Sequence, residues 1–325
     1  MEEFSLIQKY FAQPNEQAMQ NNTALVLGIG DDCAIMRAQA EQDMVFSIDT
    51  MVAGVHFPRD AAAADIAWRL LGAAVSDLAA MGAVPSCFTL ALTMPELQST
   101  WLAEFSENLA AAAHQYGITL AGGDTTKGPL TLSVQAHGFV DRGKALLRST
   151  ANVGDYICVS GSLGDSRAGL DQLSNKDFNS EQQYLLSRYY RPSPRISTGL
   201  LIKDYASSCI DISDGLLADL HHILQKSAVS AQIDSQLLPL SAPLLSVAAE
   251  NAIQWALSGG EDFELLFTVP AAKWHDFERA SNDHDIAITK IGVVSEQDAG
   301  ISCCKLFIND RWVAAKAAGY NHFSN

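Results

Sequence analysis

Short apolar runs alternate with amphipathic helical stretches along nearly the whole chain, and that alternation constrains its fold more than any other feature. Runs readable as strands are Ala24–Ile29, Met44–Ile48, Cys87–Leu92, Leu130–Phe139, Tyr156–Ser160, Cys209–Ile212, Leu265–Val269 and Ile286–Val294. Helical periodicity covers Asp65–Met81, Ser99–Tyr116, Gly164–Leu173, Glu181–Arg188, Arg195–Ala206, Gly215–Ser227 and Ala271–Ser281. An α/β or α+β protein is expected. Hairpin-like neighbours in the first half argue against a wholly parallel sheet. With 325 residues the chain has room for about two domains. The polar, glycine-bearing stretch Leu147–Asp155 separates two strand signals, so domains over 1–150 and 151–325 are expected.

Charge narrows the function. Lys and Arg total 21 against 37 Asp and Glu, a formal net charge of -16 shared by both halves. Such a surface does not hold nucleic acid or an anionic membrane by counterion release. No window approaches the ~20 apolar residues of a membrane span, and the start, MEEFSLIQKYF, lacks the basic region of a secretion signal, so a cytoplasmic protein is expected. The six cysteines lack CxxC spacing, which points to reduced thiols rather than disulfides or a zinc site.

Neither GxxxxGK[ST] nor HExxH occurs, and Gly28-Ile29-Gly30-Asp31-Asp32-Cys33 has no third glycine to make a dinucleotide fingerprint. What recurs is an acidic turn at the end of an apolar run: Asp31 and Asp32 in LVLGIGDD, Asp49 in VFSIDT, Asp124 in ITLAGGDTTKG, Asp211 and Asp214 in CIDISDG. Strand ends converge in space, so such carboxylates can meet from distant parts of a sequence. Asp77 joins them by another route. Ile66, Leu70, Ala73, Asp77 and Met81 form the core-facing stripe of one helix. A carboxylate in that row costs several kcal/mol unless paired or metal-bound. Hard oxygen ligands in this number select Mg2+, which commonly bridges carboxylates to phosphates. Taken singly, each Gly-Asp is more often a turn, Asp211 or Asp214 an N-cap, and His221-His222 a helix surface. The conjunction favours a multi-metal phosphate site.

Gly28–Asp32, Ser47–Asp49 with Gly54–Phe57, Ser76–Gly82, Gly122–Thr126, Leu147–Ser149, Gly161–Gly169, Arg191–Arg195, Asp211–Gly215, Ser258–Asp262 and the terminal Gly319–Phe323 together resemble thiamine-monophosphate kinases. These belong to the aminoimidazole-ribonucleotide-synthetase-like (PurM-like) superfamily. The resemblance implies ATP-dependent phosphorylation of thiamine monophosphate to thiamine diphosphate. It also implies an N-terminal mixed sheet closing a barrel across a homodimer, with a C-terminal α/β domain completing the nucleotide and substrate site. By motif, Asp32, Ser47, Ile48, Asp49, Asp77, Asp124 and Asp211 look like the Mg2+ shell, with Asp214 as a further ligand. Gly123, Asp124, Arg148 and Ser213 resemble ATP contacts; His56, Glu261 and Tyr320 resemble thiamine-phosphate contacts. One departure is visible: many members have Ser or Thr where this chain has Ile48. A backbone carbonyl ligand there survives the change, whereas a hydroxyl ligand is lost.

The implied acceptor is a phosphate monoester with a second pKa of about 6. It is largely deprotonated at neutral pH, so no general base is assigned. Two rival readings remain. A selenophosphate or purine-pathway synthetase of the same superfamily would need a different acceptor site; Cys33 follows Asp32, but no lysine accompanies it. The other is a non-catalytic divalent-metal or nucleotide-binding module.

Overall fold

The computed structural model describes residues 3–30, 33–175, 177–297 and 303–315, so Asp31, Asp32 and Tyr320 lie outside the described residues. The chain divides into two compact units, one of Met1–Leu78 and Ala83–Gly143, the other of Ala79–Gly82 and Lys144–Asn325.

In the first unit, α1 (Glu3–Ile7), a π-helical turn (Gln8–Ala12) and α2 (Gln13–Asn21) lead into a small hairpin of β1 (Leu25–Leu27) and β2 (Ile35–Met36). Then follow β3 (Gln42–Val52), α3 (Ala63–Ala80), β4 (Val84–Met94), α4 (Ser99–Tyr116), β5 (Thr119–Lys127) and β6 (Thr131–Asp141). Their sheet has the order β3-β6-β4-β5 and is antiparallel except for the parallel pair β4/β5, which α4 connects. It is thus mixed, as the sequence pattern indicates.

Alternation sorts this sheet into two faces. Leu132, Val134 and Ala136 of β6 and their β4 partners Leu92, Leu90 and Phe88 are buried. α3 lies on that side, where Asp77 meets Ser47 and Leu78 approaches Gly138. On the other face the N-terminal segment covers the β4/β5 half through a cluster of Leu25, Cys87 and Ala121 with Met19 and Met36. The β3 half of that face stays open, and Phe46 and Ile48 are 62% and 65% exposed.

The second unit contains β7 (Tyr156–Ser160), α5 (Asp165–Gln172), α6 (Ser180–Tyr190), α7 (Ile196–Ile202), β8 (Ser208–Asp211), α8 (Leu216–Ser227), β9 (Ser230–Asp234), α9 (Ala242–Ser258), β10 (Leu265–Val269), α10 (Trp274–Asp283), β11 (Ile288–Ser295), β12 (Cys304–Ile308) and β13 (Arg311–Ala315). The sheet order is β13-β12-β9-β11-β7-β10-β8, with β12/β9 its parallel pair. Both faces are covered. Ile157, Val159, Ile210 and Leu266 pack with Leu216, Leu220 and Ile223 of α8. Their strand neighbours Cys158, Cys209, Leu265 and Phe267 pack with Ile202 of α7 and Phe277 of α10. Two-sided burial explains why β7 and β10 read as continuous apolar runs.

No helix among the described residues is long and apolar enough to cross a membrane. All six cysteines are free thiols, four of them buried.

Candidate functional site

In the first unit, the two-residue period of β3 places Ser47 and Asp49 on the face toward α3, and that helix brings Asp77 against them. Ser47 Oγ donates a hydrogen bond to Asp77 Oδ2. Burial, with the Asp77 charge as a second cause, pushes the Asp49 carboxyl up to about 7. A carboxyl driven toward its neutral form by burial and a neighbouring carboxylate regains its charge when a cation is placed beside it. The hard oxygen donors of the pair suit Mg2+.

The sequence pattern put Asp49 and Asp124 at strand ends, whereas both lie within longer strands, β3 and β5. Thr50, Ser133, Ala91 and Asp124 form one cross-strand row, and Asp49, Val134, Leu90 and Gly123 the next. Adjacent rows face opposite ways, so Asp124 belongs to the face turned from Asp49. Its strand is also three strand spacings, ~14 Å, from β3. One protomer therefore does not bring Asp124 to the Asp49–Asp77 pair. Instead Asp124 lines a 1470 Å³ cavity with Gly28, Gly30, Thr89, Gly122 and His137. Gly123 is needed for packing, because a Cβ there would stand 2.0 Å from the Leu90 carbonyl oxygen.

The register also bears on Ile48. Its side chain projects to the open face, away from Ser47 and Asp49. The carboxylate side therefore lacks no hydroxyl on its account, and only the backbone of Ile48 can serve that face. His56 closes the turn after β3: its Nδ1 accepts from the Val52 N–H at 3.0 Å, which puts a neutral ring's proton on Nε2.

In the second unit, Asp211 ends β8, buried at 4% exposure. Two loops clasp there through main-chain hydrogen bonds, Ile212 N–H to Glu264 O (2.8 Å), Phe263 N–H to Ile212 O (2.9 Å) and Glu261 N–H to Ser213 O (2.7 Å). Glu261 and Phe263 take φ of 60° and 50°, left-handed values that cost non-glycine residues about 1–3 kcal/mol. Strain held by surrounding bonds fits a side chain kept in place for a ligand. Arg148 is exposed, and its carbonyl accepts from Ser227 Oγ at 2.9 Å.

Sequence reasoning missed Asp219. Its Oδ2 accepts the N–H groups of Ser213, Asp214 and Gly215, each at 3.1 Å, and so shapes the turn that presents Ser213 and Asp214. Burial and then the Asp214 charge push its carboxyl up to about 7. The signal that could have found it is an acid in the first turn of a helix following Asp-Gly. Also missed was a buried ionic group. Glu264, fully buried, accepts from Arg188 Nη2 (2.7 Å), Arg195 Nε (2.6 Å) and Ser160 Oγ (2.6 Å). Asp262 accepts the Gly164 and Ser166 N–H groups and so caps α5.

The arrangement is one of hard oxygen donors, turn glycines and an exposed arginine. Residues 30–140 match AIR synthase related protein, N-terminal domain, and 152–303 the corresponding C-terminal domain. The thiamine-monophosphate kinase of Escherichia coli (strain K12) is 44% identical over 99% of this chain and 98% of its own length. The crystal structure of the Stenotrophomonas maltophilia K279a thiamine-monophosphate kinase superposes with a TM-score of 0.84 at 40% identity, covering 91% of this chain and 95% of that one. AaThiL in complex with AMPPCP and TMP gives a TM-score of 0.78 at 33% identity over 91% and 92%. On its two family domains and its near-full-length likeness to these enzymes, the chain belongs to the thiamine-monophosphate kinase family.

Proposed function

We propose that the protein transfers the γ-phosphoryl group of ATP to thiamine monophosphate, releasing ADP and thiamine diphosphate, the last step in making that cofactor. The observation that carries the reading is the Ser47–Asp49–Asp77 cluster in a chain of this family, a pair of acids in which one is driven toward its neutral form partly by the charge of the other. The complex of AaThiL with an ATP analogue and TMP supports both substrates.

Ser47, Asp49 and Asp77, the Ile48 carbonyl, and Asp211 and Asp214 would hold Mg2+, with Asp124 and Asp32 completing the set. When bound, Mg2+ would neutralise charge on the phosphate oxygens and align donor with acceptor. The chain's own residues do the rest. Arg148 places a fixed positive charge for a phosphate. Gly123 offers its main-chain groups on β5 to a nucleotide, and Ser213 offers a hydroxyl and main-chain groups held in position by Asp219. His56, Glu261 and Tyr320 recognise thiamine phosphate, Tyr320 by stacking on the cationic ring. No side chain needs to take a proton, because the acceptor is already an oxyanion near neutral pH. Transfer is direct and in line, so a chiral γ-phosphate inverts; retention would require a phosphoenzyme.

The enzyme acts in the cytoplasm as a homodimer. Met44, Phe46 and Ile48 leave the open half of the first unit's sheet apolar, which suits burial against a second copy. Asp124 is turned to that same face at its β5 end, beside the N-terminal segment. ADP release that depends on thiamine monophosphate tests the function. ATP turnover indifferent to that acceptor would exclude it.

A further inference from the structure

Three successive main-chain N–H groups, of Ser213, Asp214 and Gly215, converge on Asp219 Oδ2, each at 3.1 Å. A nest of this kind ordinarily receives an anion from outside. Here the chain fills it with a carboxylate of its own, 2% exposed, so the turn is fixed before any phosphate arrives. The same turn is bound to a second loop. Glu261 N–H donates to Ser213 O at 2.7 Å and Phe263 N–H to Ile212 O at 2.9 Å. The two loops also meet backbone to backbone: a Cβ at Gly260 would stand 2.7 Å from the Ser213 carbonyl oxygen, and one at Gly215 would stand 3.0 Å from Ser258 Cα. Asp262 and Glu264 fasten the second loop in turn, the first to the start of α5 and the other to Arg188 and Arg195. Neither loop can shift alone without breaking main-chain hydrogen bonds or running into the other's backbone.

We propose that Asp219 is a positioning residue for both substrates, acting through Ser213 on the nucleotide and through the Ser213–Glu261 bond on thiamine monophosphate. The inference rests on the kinase reading, which gives Ser213 to the nucleotide and Glu261 to the acceptor. Asp219, buried under the turn, acts on neither substrate directly. Its carboxylate sets where the Ser213 peptide lies, and the Ser213 carbonyl sets where the Glu261 peptide lies. That second bond also helps to hold Glu261 at its left-handed φ of 60°, a conformation that persists only when its surroundings enforce it. One carboxylate on the nucleotide side thereby reaches the acceptor side.

The test compares KM for ATP and for thiamine monophosphate, each at a saturating level of the other, in the full-length protein. Asp219→Ala removes all three hydrogen bonds and should raise both KM values about tenfold. Asp219→Asn keeps an acceptor oxygen of the same reach and should hold both within about threefold of wild type. Ser213→Ala removes a hydroxyl but leaves the main-chain bonds, and should raise KM for ATP alone. A purely structural role would lower kcat with the folded fraction and leave both KM values in place. That pattern in Asp219→Ala, or a rise confined to ATP, overturns the proposal. Amide hydrogen exchange reads the clasp with no substrate present. The Glu261 N–H should exchange about tenfold faster in Asp219→Ala than in wild type, and an unchanged rate also overturns the proposal. Wild-type protein that releases no ADP in response to thiamine monophosphate sinks the kinase reading instead, while the exchange rates still decide whether Asp219 fixes both loops.

Discussion

Asp49 and Asp77 of the first unit and Glu264, Asp262 and Asp165 of the second are all acids drawn partly or wholly from water, yet they are answered differently. Glu264 is met by two guanidinium groups and a hydroxyl. Asp165 accepts from Ser162, Tyr184 and Ser241 and lies 3.7 Å from Arg188 Nε. Asp262 takes two backbone N–H groups at the start of α5. Asp49 instead faces another carboxylate, whose charge joins with burial to raise its pKa to about 7. Burial alone does not mark an acid as functional. An acid with its counter-charge or donors supplied internally belongs to the scaffold, whereas one opposed by a like charge awaits something from outside.

That contrast breaks first if Asp77→Asn is tolerated. The account expects a loss of at least ~10³-fold in kcat/KM, the equivalent of ~4 kcal/mol of transition-state stabilisation. The melting temperature should hold or rise slightly, since a like-charge repulsion goes with it. Glu264→Ala should do the reverse. It strands Arg188 and Arg195 and should cost about 3–5 kcal/mol of stability in urea unfolding. A loss under about 1 kcal/mol would mean that the arginines find other partners and that the ionic group is not scaffold.

A smaller effect sharpens the scaffold side. Burial raises the Asp262 carboxyl to about 7 against an ordinary 3.8. The folded state therefore holds a proton that the unfolded chain releases over that interval. Its contribution to stability is fully present below about 3.8 and is lost as pH rises to about 7. Asp262→Asn should flatten the fall of melting temperature across that window, and an unchanged slope would remove Asp262 as a cause. Smallest of all is Ile48→Thr, whose side chain sits on the face opposite Ser47 and Asp49. Activity should stay within about twofold, and a tenfold gain would show a hydroxyl reaching the metal side.

Much of this is legible in the amino-acid sequence. The alternating apolar runs locate most strands and helices to within a few residues, because two-sided and one-sided burial leave different periods. The stripe Ile66, Leu70, Ala73 marks Asp77 as an acid on a buried face, and Ile66 and Leu70 are indeed 2% and 0% exposed. Helix α9 is not legible. Among its residues only Leu244, Ala252, Ala256 and Leu257 are buried, and a break at Ala248 interrupts their period. Strand β5 is hidden too. Its GGDTT segment reads as a turn, yet glycine is required there because the strand runs against the Leu90 carbonyl. In the site, sequence finds the acids but not their supports. Asp219, Arg188 and Arg195 act through contacts with residues far along the chain or with main-chain groups, and no local spacing announces those.

The most direct test is a count of divalent ions. Mn2+ bound by the protein with a non-hydrolysable ATP analogue is titrated by EPR in the wild type and in Asp49→Asn/Asp77→Asn. The account predicts that the folded variant binds fewer ions and holds the nucleotide more weakly. An unchanged number of bound ions, with unchanged nucleotide affinity, would contradict it.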